Sequence, residues 1–194
     1  MTTTDRPTWT TLEEDAKAII ERYPRPRSAL LPLLHLVQSV EGHVSADGIE
    51  FCARLLGLTT AEVRAVATFY TMYRRAPAGE HLVGVCTNTL CAIMGGDAIL
   101  AALREHLRPG EDGTTEDGSI TLESVECNAA CDYAPVVMVN WEFFDNMSVS
   151  TARRLVDDLR AGRPVFPSRG EGPLCTFRQN ARILAGFTAE GQAP

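Results

Sequence analysis

The rhythm of apolar residues along the chain changes near residue 75. From about residue 10 the apolar positions recur at helical spacing, and each run is bounded by helix start and stop signals. Thr11-Leu-Glu-Glu14 has the capping-box form, a hydroxyl at the helix start with a carboxylate three residues on. Tyr23-Pro-Arg-Pro26 stops that run. Ser28 is placed to cap a second helix that tolerates Pro32 in its first turn and ends at Gly42. Ile49, Cys52, Ala53 and Leu56 line one face of a third helix closed by Gly57. Thr59-Thr-Ala-Glu62 repeats the capping box before a fourth helix carrying Val63, Val66, Ala67 and Tyr70. Helices this short are marginal alone, so residues 10–75 are expected to form a small helical bundle.

After a linker around Pro77 and Gly79 the texture becomes strand and helix in turn. His81-Leu-Val-Gly-Val85 reads as a buried strand running straight into Cys86. Asp97 to Arg108 reads as an amphipathic helix with Ile99, Leu100, Leu103 and Leu107 on one side. A polar loop from Pro109 to Ser119 leads to a second strand, Ile120 to Val125, which ends beside Cys127. Val136 to Val139 and Phe143 to Asp145 suit a hairpin, and Ser148 or Ser150 suits the cap of a last clear helix ending at Gly162. The order strand, helix, strand, hairpin, helix fits a small thioredoxin-like α/β domain over residues 80–162. Residues 163–194 are rich in Pro and Gly and are expected to form an extended tail with one short helix near Arg178 to Leu184. The fold class is thus α+β.

Composition narrows the function. A formal charge of −7 argues against nucleic-acid binding, which needs a basic surface. The first residues are polar, without the apolar core of a secretory signal, and no run approaches the roughly 20 apolar residues of a spanning helix. The chain is therefore expected to be soluble and intracellular, without direct membrane insertion. In that setting spaced cysteines point to metal or redox chemistry more than to structural disulfides.

Four of the six cysteines fall in two pairs, Cys86 with Cys91 and Cys127 with Cys131, and each pair begins where a strand ends. Parallel strands end side by side at one sheet edge, which brings the pairs together in space. Four thiolates suit a 2Fe–2S cluster, each iron taking two cysteines: Cys86 and Cys91 for one, Cys127 and Cys131 for the other. The small Ala129 and Ala130 leave room for backbone N–H groups to reach the sulfurs. Glu126 and Asp132 flank the second pair and oppose added negative charge, so a low reduction potential is expected. Structural zinc also takes four thiolates, at spacings these pairs only just meet. The Cys-x-x-Cys of a thiol–disulfide enzyme is absent, although metal-free redox thiols remain a third reading.

At these residues the sequence resembles the small iron–sulfur subunit of NADH:quinone oxidoreductase, the E subunit of respiratory complex I. The resemblance lies in Val85-Cys-Thr-Asn-Thr-Leu-Cys91 followed by Gly95-Gly96, and in Glu126-Cys-Asn-Ala-Ala-Cys131 followed by Ala134-Pro135. Ala67-Thr-Phe-Tyr70 with Met72 extends it upstream, and it covers about residues 11–161. It implies a helical region followed by a thioredoxin-like 2Fe–2S ferredoxin domain with Cys86, Cys91, Cys127 and Cys131 as cluster ligands. It further implies an electron-transfer subunit that is not catalytic alone, docked on the flavin subunit that binds NADH and FMN and accompanied by the large iron–sulfur subunit. The assembly would be cytoplasmic and peripheral to the membrane. Similar subunits serve soluble NAD-linked hydrogenases and formate dehydrogenases. Two positions depart from the pattern: Ala129 stands where the family often has Gly, and Trp141-Glu-Phe-Phe144 replaces a polar turn.

The remaining candidates have plainer readings. Cys52 sits on an apolar helix stripe as a small core residue, and Cys175 is a surface or partner-covered thiol. His35, His43, His81 and His106 share no ligand spacing. Thr68, Phe69 and Tyr70 suit packing or an interface, and Gly95-Gly96 suits tight backbone packing more than anion binding. No phosphate loop or dinucleotide fingerprint is present, so NADH and FMN are not expected on this chain itself.

Overall fold

A computed structural model describes residues 9–188. They divide into two compact units, one running to Pro77 and resuming at Arg178, the other Ala78–Phe177.

The first unit holds helices α1 (Trp9–Ile20), α2 (Leu30–Glu41), α3 (Ala46–Leu56), α4 (Thr60–Phe69) and α8 (Phe177–Leu184), with a 3-10 turn at Pro26–Ala29. Its core is built from the apolar stripes read in the sequence: Leu12, Ala16 and Ile19, then Leu33, Leu34, Leu36 and Val37, then Phe51, Cys52, Ala53 and Leu56, then Val63 and Ala67. Gly42 ends α2 in the left-handed conformation, its N–H donating to the Gln38 carbonyl at 2.8 Å. The Thr59 capping box is present in both directions with Glu62. That carboxyl is held down to about 2 by the Thr59 backbone N–H and hydroxyl, with Arg27 adding to the effect.

Several start signals read differently. α1 begins at Trp9, ahead of Thr11, whose side chain lies outside the described residues. Ser28 falls inside the 3-10 turn, and α2 starts behind Ala29 with no side-chain cap, because the Pro-rich segment enters the helix already wound. Ser45, unremarked in the sequence, caps α3 by accepting the Gly48 N–H at 2.9 Å. Within residues 163–188 the chain packs rather than trailing away as the expected tail, whose last residues lie outside the described ones. α8 is amphipathic, and Ala185 and Phe187 complete the helical core. Arg178 donates to the Val40 and Glu41 carbonyls at the end of α2, and Arg182 pairs with Asp15 at 2.7 Å. Apolar residues too sparse to form a core alone find one by returning to the first unit.

The second unit is a four-stranded sheet in the order β2-β1-β3-β4, from β1 (His81–Cys86), β2 (Ile120–Val125), β3 (Val137–Val139) and β4 (Glu142–Phe144). β1 and β2 are parallel, His81 opposite Ile120 and Cys86 opposite Val125, while β1–β3 and β3–β4 are antiparallel. Between β1 and β2 lie the short α5 (Thr89–Ile93) and the longer α6 (Gly96–Leu107), and α7 (Val149–Arg160) follows β4. Ile99, Leu100, Leu103 and Leu107 of α6 pack with Ala152, Leu155, Val156 and Leu159 of α7 and with Val83 and Val85 of the sheet. Ser148 is the α7 cap, reciprocated by Thr151. The turn after β3 is made by Asn140 and Trp141, both at positive φ (51° and 71°), as a tight hairpin demands. Asn140 is buried: its Oδ1 accepts the Leu82 N–H at 2.7 Å and its Nδ2 donates to the Cys175 carbonyl at 2.8 Å. Residues 163–176 therefore belong to this unit, tied to the sheet rather than trailing from it.

Candidate metal centre

Parallel pairing of β1 with β2 carries Cys86 and Val125 to the same edge of the sheet, and the four spaced cysteines gather there. Cys86 is the last residue of β1 and Cys91 lies in α5; both are buried, with Ala130, Ala134 and Val136 packed around them. Cys127 follows β2 and Cys131 opens the 3-10 turn Cys131–Tyr133; both are exposed. The Cys127 and Cys131 sulfurs are 4.0 Å apart. A tetrahedral metal with bonds to sulfur of about 2.3 Å holds two sulfurs about 3.8 Å apart, so this pair suits a single metal.

The pairs are also in electrostatic reach of each other. Burial pushes the Cys91 thiol up to about 11, with the neighbouring Cys86 and Cys131 adding to the rise. Cys131 is likewise raised, chiefly by its hydrogen bond with Cys127 and the charge there, with Cys86 contributing. Among the described residues no three His, Cys, Asp or Glu side chains converge tightly enough for one metal ion.

Local backbone completes the site. Ala129 has φ 53°, and in that left-handed conformation its N–H donates to the Cys127 sulfur at 3.3 Å. The left-handed conformation that glycine takes freely is thus borne here by Ala, at a steric cost. Gly96 serves the first pair. A Cβ there would lie 2.5 Å from the Cys86 carbonyl oxygen and 2.9 Å from that of Cys91, so only glycine lets α6 start against the backbone of both cysteines. Gly95, at φ 114°, turns the chain into that helix.

The other candidates fall where the plain readings place them. Cys52 is fully buried in the helical core, its thiol pushed up to about 12 by burial. Cys175 is half-buried and contributes its carbonyl to Asn140. His106 lies 2.7 Å from Asp157, and His81 contacts Asn140 at 3.1 Å. Asp132 does not act on the second pair unopposed: Arg169 lies 3.8 Å from it. That counter-charge weakens the expectation of a low potential. No sequence signal marked Arg169, which lies 38 residues past Cys131 in a segment without periodicity.

A thioredoxin-like sheet with four cysteines drawn to one edge is the architecture of an iron–sulfur electron carrier. The chain belongs to the family described as "Thioredoxin-like [2Fe-2S] ferredoxin", whose sequence model matches residues 16–160. It is 67% identical over 176 residues to the E subunit of NADH-quinone oxidoreductase from Mycobacterium tuberculosis (strain ATCC 25618 / H37Rv), covering 91% of this chain and 69% of that protein. It is 35% identical over 155 residues to the E 2 subunit of NADH-quinone oxidoreductase from Rhizobium meliloti (strain 1021), covering 80% of this chain and 92% of the relative. Among solved structures, a chain of an NAD+-reducing [NiFe]-hydrogenase superposes with a TM-score of 0.60 at 20% identity, over 70% of this chain and 22% of its own length. That likeness shows the fold.

Proposed function

We propose that this chain is the small electron-transfer subunit of an NADH-quinone oxidoreductase and holds one 2Fe–2S cluster on Cys86, Cys91, Cys127 and Cys131. A bound cluster supplies one reversibly held electron. The residues of the chain bind the cluster, shield it and set its exposure. Cys86 and Cys91 hold the buried iron, and Cys127 and Cys131 hold the iron nearer solvent.

The observation that carries this reading is the asymmetry of the site. One thiol pair is sealed beneath Ala130, Ala134 and Val136, while the other is open. Around it stand exposed apolar side chains: Leu90, Ile93 and Met94 beside the first pair and Tyr133 beside the second. Single exposed apolar residues are common, but several beside one site mark a surface that a partner covers. The partners that fit are the flavin subunit carrying NADH and FMN and the large iron–sulfur subunit. Among the described residues no helix is long and apolar enough to cross a membrane, which accords with a cytoplasmic subunit held at the membrane through its complex.

Affinity-tagged chain, recovered anaerobically from its native cells, tests the proposal. Recovery with a flavin subunit and membrane-arm subunits, and a cluster signal reduced by NADH only in that assembly, are the expected results. Recovery with a nickel or molybdenum subunit would reassign the chain to a soluble hydrogenase or formate dehydrogenase. A colourless zinc-containing product would replace the redox role with a stapled interaction module.

A further inference from the structure

The segment after α7 runs beside β4: the Ser168 N–H donates to the Phe143 carbonyl at 2.7 Å, and the Asp145 N–H donates to the Ser168 hydroxyl at 2.8 Å. This fixes the next residue, Arg169, over the turn that carries Cys131. Its guanidinium lies 4.8 Å from the ring centre of Phe143 and 5.2 Å from that of Tyr133. Nε and Nη2 donate to the two carboxylate oxygens of Asp145 at 2.9 and 3.1 Å, and Nη2 is 3.8 Å from Asp132. Asp132 and Tyr133 are the two residues after Cys131, and the Tyr133 carbonyl accepts the Asn146 N–H at 2.9 Å. One cation thus grips both the residue pair behind the ligand and the strand end that supports it. A planar, bidentate, stacking cation is what Arg supplies and Lys does not.

We infer that Arg169 is a positioning residue of the centre: it clamps the Cys131 turn against β4, and its charge offsets Asp132 and Asp145 so that the cluster accepts an electron more readily. This rests on the cluster reading above. A strap that only fastens the C-terminal segment to β4 would be served by the Asp145 pair alone. The reach to Tyr133 and Asp132 is what ties Arg169 to the ligand loop. Removing the cation leaves Asp132, the residue after Cys131, without its counter-charge, and negative charge there disfavours the reduced cluster.

The test uses the full chain carrying its cluster. Iron, acid-labile sulfide and the visible spectrum of the wild type are measured first, and their absence would overturn the cluster reading and this inference with it. Given that cluster, dithionite titrations followed by electron paramagnetic resonance compare Arg169→Gln, Arg169→Lys and Asp132→Asn. Arg169→Gln is expected to shift the reduction equilibrium about threefold toward the oxidised form, about 28 mV for a one-electron couple. Arg169→Lys is expected to keep the midpoint yet lose iron to a chelator faster than wild type, because charge survives and the clamp does not. Asp132→Asn is expected to move the midpoint the opposite way. A merely structural strap predicts altered stability with an unmoved midpoint in all three, and that result would overturn the inference. Should Arg169→Gln fail to fold, an unchanged midpoint in Asp132→Asn would suffice to overturn it.

Discussion

Replacing Gly96 by Ala sets two effects of opposite sign against each other, and the structure says which wins. Ala is the better helix former by about 1 kcal/mol in a helix interior, less at a first helical position such as this one. Against that, the new Cβ would lie 2.5 Å from the Cys86 oxygen, 2.9 Å from the Cys91 oxygen and 3.0 Å from the Cys91 carbonyl carbon. An ordinary carbon–oxygen contact is about 3.3 Å or more, so the first carbonyl has to retreat by roughly 0.8 Å. All three atoms are backbone, and no side chain can rotate away. Overpacking of this kind costs about 1–3 kcal/mol, so the net effect is a loss of roughly 1–2 kcal/mol. The movement falls on two cluster ligands, so cluster retention suffers along with stability. Denaturant unfolding of apo Gly96→Ala and iron content per chain after anaerobic reconstitution measure the two consequences. Unchanged iron content with wild-type stability would refute the argument that this close approach holds the first cysteine pair in place.

Three further substitutions probe other parts of the molecule. Ala129→Gly relieves the left-handed backbone at φ 53° and is expected to gain roughly 0.5–1 kcal/mol in a thermal melt, with the visible spectrum unchanged; a loss of stability would contradict the strain. Asn140→Ala leaves the Leu82 N–H and the Cys175 carbonyl without their buried partner and removes a residue suited to φ 51°, so a loss of about 2–4 kcal/mol is expected in denaturant unfolding. His35 is buried beside Tyr73, and burial lowers its pKa to about 4. The unfolded imidazole takes its proton near pH 6.5 and the folded one only near 4. The stability that comes from keeping His35 neutral is present above 6.5 and is lost as pH falls toward 4. The loss reaches roughly 3 kcal/mol at most. His35→Phe should flatten that slope relative to wild type, and parallel curves for the two proteins would contradict it.

Where local chemistry and tertiary structure agree, the sequence was enough to read. The capping box at Thr59, the glycine stop at Gly42 and the apolar stripe of α6 each need only a few neighbouring residues to act. The approach of the two cysteine pairs followed from one inference, that β1 and β2 are parallel, and their pairing bears it out. What the sequence concealed depends on contacts far along the chain. α8 is weakly apolar, and nothing local says that Phe187 completes a core begun at Leu12. Arg169 looks like one more charged residue between prolines and glycines until Ser168 docks on β4. The departure at Ala129 was visible, but whether the position still needs positive φ was a question only the backbone answers. The loop from Pro109 to Ser119 looked featureless, yet it folds back on β2, the Leu122 N–H donating to the Gly113 carbonyl at 2.8 Å.

The central claim is that four particular sulfurs hold two irons. Its most direct test is iron and acid-labile sulfide per chain, with the visible spectrum, for anaerobically purified wild type and for each of the six single Cys→Ser variants. A reddish-brown wild type with about two irons and two sulfides is expected. Cys52→Ser and Cys175→Ser should match it, while Cys86→Ser, Cys91→Ser, Cys127→Ser and Cys131→Ser should lose the cluster or alter its spectrum. A wild type free of iron and sulfide, or a cluster that survives unaltered without any one of those four, would contradict the claim.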